Sequence, residues 1–196
     1  WYGTRRGGVA VRRLRRALRV PGEHNVSNAL AAYTLARSLN VPERTILRAL
    51  GRYRVAWRSM EYRGNLKIVH PRLKIPVYDD YAHHPTEIKA TLAAFREQLP
   101  HSRIICVFQP HQAERLRLLF KDFTAAFDAA DDLVLLPAYE VPGRDVRSRR
   151  FTSKKLAQAI VHRKIPPAVT YLPTPRRLPH VVEKMVRSDS DHSGVP

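Results

Sequence analysis

From residue 66 onward, short apolar runs alternate with stretches whose apolar residues return every three or four positions. Leu66-Lys67-Ile68-Val69 and Ile75-Pro76-Val77-Tyr78 read as two strands around a turn at His70-Pro71-Arg72. The spacing predicts a helix over about 86–99, closed by Pro100, and a near-continuous apolar strand over 103–108. Such a run is expected where both faces of a strand are covered. A helix over about 113–129, a buried strand over 133–136, a helix over 152–162, a strand over 168–172 and a last helix over 179–187 follow. Regular strand–helix alternation predicts an α/β class: a Rossmann-like, doubly wound, mostly parallel sheet with flanking helices. The polar stretch 188–196 reads as a disordered tail.

Ahead of this unit, residues 1–20 read as short strands with Val9-Ala10-Val11 and Leu14 as their apolar points, and Pro21-Gly22 as a turn. Val26, Ala29, Leu30, Tyr33 and Ala36 fall at helical spacing over 25–39, with Asn40 able to end the helix. Pro42 opens a second helix to about Leu50. These two helices are expected to close a domain that starts before residue 1.

Composition narrows the partners. The chain has 196 residues, is 44% hydrophobic and carries a net charge of +18. The arginines are spread through the sequence, and no zinc-finger, RNA-recognition or helix-turn-helix signature accompanies them, so specific nucleic-acid binding is not expected. The only cysteine, Cys106, sits inside an apolar strand and reads as a buried thiol, in keeping with a reducing cytoplasm. No apolar run approaches the ~20 residues of a membrane span, and no signal peptide is expected.

Three polar segments interrupt the pattern. Asp79-Asp80-Tyr81-Ala82-His83-His84-Pro85-Thr86-Glu87 leaves a strand and opens a helix, packing two acids, a phenol and two imidazoles into a strand end. Ligands of α/β proteins bind at that carboxyl edge. Phe108-Gln109-Pro110-His111, with Arg115 four residues on, repeats the arrangement after the next strand. An arginine there can grip a carboxylate through two parallel hydrogen bonds. Pro21-Gly22-Glu23-His24-Asn25-Val26-Ser27-Asn28 places two asparagines three apart; Asn25 can cap the helix, and amides can also read a purine edge. The chain contains no Gly-x-x-x-x-Gly-Lys-Ser/Thr loop, no Cys/His zinc spacing and no Gly-x-Ser-x-Gly elbow.

Together the three segments resemble the Mur ligases of peptidoglycan precursor synthesis, over roughly residues 20 to 140. The resemblance implies an ATP-dependent, three-domain, cytoplasmic ligase that joins L-alanine to UDP-N-acetylmuramate through an acyl phosphate. It assigns Asn25 and Asn28 to the adenine and Asp80 to the ribose. It places Tyr81, His83, His111 and Arg115 in the alanine site, Arg115 on the carboxylate, with His83 as the proton acceptor. The cofactors implied are ATP and Mg2+, held mostly by domains outside this chain; no metal ligand is assigned within it. Residues 1–58 would be the C-terminal remnant of the central ATP-binding domain and 59–187 the amino-acid-binding domain. The family's Arg-Arg pair is here Arg58-Ser59, which leaves Arg58 as the nucleotide contact. The missing N-terminal and central domains would be partners, and the chain alone is expected to be inactive. Two other readings remain open: a muropeptide-recycling ligase of the same type, and a non-catalytic basic domain that binds an acidic partner.

Overall fold

A computed structural model describes residues 5–54, 59–66, 74–139 and 150–190. It opens with a helix, α1 (Arg5–Ala17), where the sequence suggested short strands. The β-branched Val9 and Val11 favour a strand locally, but Leu14 is fully buried while Arg12 and Arg16, on the opposite side of the helical wheel, are exposed. Arginine is a good helix former, and burial of one stripe decides the state. α2 (Glu23–Ser38) and α3 (Glu43–Arg52) both pack on α1. Asn40 (φ 61°) ends the α2 turn in the left-handed conformation that asparagine tolerates.

A hairpin follows. β1 (Glu61–Leu66) pairs antiparallel with β2 (Ile75–Asp79), with a bulge between Tyr62 and Gly64. Residues 67–73, where the turn was expected, lie outside the described part. Tyr78 of β2 rests on Tyr62 and on Phe95 of the next helix, with ring centroids 5.6 Å and 4.9 Å away. That helix is α4 (Pro85–Gln98).

The main sheet is parallel and three-stranded, ordered β3 (Ile105–Phe108), β4 (Asp132–Leu135), β5 (Ala168–Tyr171). Between β3 and β4 the expected single helix is two, α5 (Ala113–Leu118) and α6 (Phe120–Thr124), with the break at Leu119. α7 (Ser153–Val161) joins β4 to β5, and α8 (Leu178–Ser190) closes the chain. α8 therefore runs into the stretch expected to be a disordered tail; 191–196 lie outside the described residues.

Alternation along β4 builds two cores. Leu133 and Leu135 face a cluster with Ile88, Leu92, Phe108, Leu116, Phe123, Phe127, Leu156 and Ile160. Val134 and Leu136 face Leu172, Leu178, Val181 and Met185 on the other side. Helices thus cover both faces, the doubly wound arrangement expected. One detail differs. β3 was expected to be buried on both faces, yet Val107 is 41% exposed, because β3 is an edge of the described sheet and β4 is its centre.

The amino edge of this sheet is clamped by ion pairs. Arg103 forms two parallel bonds to the buried Asp132, at 2.5 Å and 2.9 Å, and donates to the Met185 carbonyl of α8. Arg96 of α4 reaches Asp131 at 2.6 Å and the Ala129 and Ser102 carbonyls. Forked arginine–carboxylate contacts fix geometry as well as energy.

Candidate functional site

The loop leaving β2 is built from its own side chains. Asp80 Oδ2 accepts from the Met60 N–H at 2.8 Å and Oδ1 from the Ala82 N–H at 2.7 Å, with Thr91 Oγ1 at 3.5 Å. Asp80 therefore pins the loop to the chain entering the hairpin. Ala82, held by that bond, packs on the main apolar cluster. Tyr81 is half exposed, and its ring lies 4.9 Å from that of His83.

The two histidines are held differently. His83 Nδ1 is 2.9 Å from the Tyr81 carbonyl oxygen. A carbonyl only accepts, so Nδ1 carries the hydrogen and the neutral ring keeps its lone pair on Nε2. His84 is the N-cap of α4, and its Nδ1 accepts from the Thr86 N–H at 3.3 Å. There the lone pair is on Nδ1. Glu87 completes a capping box: one of its oxygens accepts from both the His83 and His84 N–H groups, each at 3.1 Å. Partial burial pushes the Glu87 carboxyl up. The two backbone donors and the nearby imidazoles outweigh this and hold it below its ordinary value.

The loop leaving β3 is held from a distance. Tyr139, four residues beyond β4, stacks on His111 with ring centroids 5.1 Å apart and an interplanar angle of 24°. Its N–H donates to the Pro110 carbonyl at 2.7 Å, and its carbonyl accepts from the Gln112 N–H at 3.0 Å. Gln112 stands at φ 70°, ψ 116°, a strained conformation for a residue with a side chain. Arg115, partly buried on α5, donates to the His111 carbonyl at 3.3 Å and has no carboxylate partner among the described residues. Cys106, one turn of the pleat before this loop, is not a nucleophile: burial, and secondarily the Asp80 carboxylate, push its thiol up to about 12.

The third segment forms a tight turn, and the cap role open to Asn25 is not taken. Gly22 is the N-cap of α2 at φ 91°, and a side chain there would lie 2.7 Å from the His24 ring. Asn25 Nδ2 donates back to the Pro21 carbonyl at 2.6 Å, so its amide closes the turn instead of capping α2. His24 Nδ1 is buried without a partner, and Asn28 is exposed. Arg58 lies outside the described residues. A small cleft of about 160 Å³ opens between this turn and the hairpin, lined by Arg19, Pro21, Arg54, Met60 and Tyr78; none of these is a candidate residue from the sequence.

The structure thus brings Tyr81 to His83 and His111 to Arg115, each pair at the start of a helix that follows a strand. Sequence reasoning missed Tyr139. Its one signal is position, since it follows the carboxyl end of the buried strand β4 as His83 and His111 follow β2 and β3.

Comparison with known proteins decides the family. Residues 66–191 match the family described as Mur ligase, glutamate ligase domain. The chain belongs to this family. The resemblance read from the three segments is borne out. Among curated relatives, the UDP-N-acetylmuramate–L-alanine ligase of Clostridium kluyveri is 44% identical over 146 residues, covering 74% of this chain and 30% of that protein. The enzyme of the same name from Clostridium perfringens is 42% identical over 144 residues, again 74% of this chain and 30% of the relative. Among solved structures, the UDP-N-acetylmuramate-alanine ligase of Thermotoga maritima superposes with a TM-score of 0.62 at 28% identity, over 84% of this chain and 32% of that one. This Mur ligase chain therefore spans about a third of the length of the relatives it matches. No helix of the described residues is long and apolar enough to cross a membrane, and those residues hold no group of three or more potential metal ligands.

Proposed function

We propose that this chain is the amino-acid-binding part of a cytoplasmic ligase that joins L-alanine to UDP-N-acetylmuramate at the expense of ATP. The observation that carries the reading is the likeness to alanine-adding Mur ligases across three quarters of the chain. Residues 1–58 are assigned to the end of the central ATP-binding domain and 59–187 to the terminal domain, with the remaining family domains as partners.

Within this reading, the carbonyl of the activated muramate, an acyl phosphate, is attacked by the amine of alanine; the new bond is C–N and phosphate leaves. Arg115 grips the alanine carboxylate; among the described residues its guanidinium meets the His111 carbonyl and no acid. His111 and Tyr81 wall the amino acid. The amine must be neutral to attack and must shed a proton as it does so. His83 takes that proton on Nε2, the ring nitrogen left bare by the contact of Nδ1 with Tyr81. Holding the nucleophile in place supplies most of the gain.

ATP fits the residues assigned to it. Asn28 is exposed, the buried Nδ1 of His24 in the same turn has no partner, and Asp80 Oδ2, bonded to the Met60 N–H, keeps a second lone pair for a ribose hydroxyl. Asn25 keeps its amide oxygen, since only its N–H is used. Bound ATP supplies the phosphoryl group that activates the carboxylate. Mg2+ has no set of three ligands among the described residues, and we assign its binding to the parts of the family this chain does not span.

The test is a chimera that joins this chain to the preceding domains of the Clostridium kluyveri ligase. Phosphate release that requires ATP, UDP-N-acetylmuramate and L-alanine is expected, and the 196-residue chain alone should release none. A folded chimera that binds nucleotide but ignores L-alanine would overturn the assignment.

A further inference from the structure

Glu87 makes more contacts than a helix cap needs. A capping box requires the residue at the third helical position to reach the N-cap N–H, here that of His84. Glu87 Oε2 also accepts from the N–H of the preceding residue, His83, and lies 3.6 Å from His83 Nδ1. One carboxylate oxygen therefore gathers two successive backbone donors and one edge of an imidazole.

The consequence falls on the two rings. With its N–H tied to Glu87, the His83 backbone is fixed, and the ring turns Nδ1 back to the Tyr81 carbonyl at 2.9 Å. With its own N–H tied to the same oxygen, His84 is fixed as the N-cap, and its Nδ1 faces the Thr86 N–H at 3.3 Å. Nδ1 must be a donor in the first ring and an acceptor in the second. Adjacent, chemically identical side chains are thus held as opposite tautomers. In water, neutral imidazole favours hydrogen on Nε2, so His84 has the ordinary form and His83 the unusual one.

We propose that Glu87 is the positioning residue that holds His83 in the tautomer with Nδ1–H and a bare Nε2 while holding His84 in the reverse. The use of that bare Nε2 as proton acceptor rests on the function proposed above; the tautomer assignment does not. Glu87 touches no reacting atom and acts through His83. The pairing also separates the two roles in a His-His dipeptide: His84 serves the helix and His83 serves the site.

The test is nitrogen-15 NMR on the full chain, at a pH where both rings are neutral. Ring-nitrogen shifts and their couplings to the carbon-bound ring hydrogens report which nitrogen is protonated. The wild-type chain should show His83 protonated on Nδ1 and His84 on Nε2. Glu87→Ala should lower the His83 ratio of the Nδ1–H to the Nε2–H form by about fivefold, the factor that one ordinary net hydrogen bond carries. Glu87→Gln keeps an acceptor oxygen and should restore the wild-type pattern. If Glu87→Ala does not fold, Glu87→Asp, one methylene short of the His83 N–H, gives the same reading. Wild-type His83 protonated on Nε2 would overturn the proposal, as would a folded Glu87→Ala or Glu87→Asp chain with an unchanged His83 signature. Either result would leave the chimera assay and the alanine-adding reading it tests untouched; the first would also remove His83 as the proton acceptor.

Discussion

The loop after β2 and the loop after β3 present their candidate side chains by different means. In the first, acceptors within the same ten residues do the work: Asp80 holds Met60 and Ala82, and Glu87 holds His83 and His84. In the second, the key partner comes from 28 positions later in the chain, where Tyr139 stacks on His111 and exchanges two backbone bonds with its turn. Gln112 stays strained because that partner over-determines it. One self-capped loop and one borrowed loop should fail in two distinguishable ways when cut.

The largest expected effect is in the first loop. Asp80→Ala leaves the Met60 and Ala82 N–H groups without their charged acceptor in a partly buried place. The expected loss is about 3 kcal/mol of folding stability, from two charge-assisted bonds and their orphaned donors. A urea midpoint series on the full chain measures it. A loss no larger than that of a change at Tyr139 would erase the contrast between the loops.

Next comes Arg115. Its guanidinium has no acidic partner among the described residues, so Arg115→Lys should leave the fold alone and replace a fork with a point charge. In the chimera the Michaelis constant for L-alanine should rise about tenfold, near 1.4 kcal/mol, with nucleotide affinity unchanged. An unaltered alanine constant removes Arg115 from the site.

Tyr139→Ala should cost about 1 kcal/mol, the scale of one ring-on-ring contact beyond its area, because half of Tyr139 is already in solvent. Its sharper signature is spatial. Backbone amide shifts should move at 111 and 112 and stay put at 83 and 84. Movement at both loops would mean the two are one unit.

These loops also explain what could be read in advance. Most strand ends and helix starts from β2 onward, and the place of Tyr81, His83, His111 and Arg115 just after strands, were legible because apolar runs and polar interruptions are local signals. The family, too, followed from three contiguous segments. The identity of α1 was not legible, because Val9 and Val11 favour strands and only the burial of Leu14 against neighbouring helices decides otherwise. The edge position of β3 was hidden for a similar reason: an apolar run does not say which strands lie beside it. Of the two roles open to Asn25, the cap is not taken: its amide closes the turn at Pro21, since Gly22 at φ 91° takes the N-cap place. Tyr139 was out of reach because its contact with His111 spans 28 positions.

The smallest expected effect concerns Glu87 and acid. Its carboxyl titrates below the ordinary value in the folded chain, so its contribution to stability is complete above the unfolded value and is lost as pH falls through the folded one. The window lies below about pH 4.3, the ordinary glutamate value. The side chain is about half exposed, so solvent screens the interaction and the effect is a small one. Following the Glu87 side-chain carboxyl carbon by NMR should give a midpoint below that of an unstructured glutamate. The stability advantage of the wild-type chain over Glu87→Gln should shrink between about pH 5 and pH 3. A midpoint at or above the ordinary value would mean that burial outweighs the two N–H donors, and that the first loop is held less firmly than its hydrogen bonds imply.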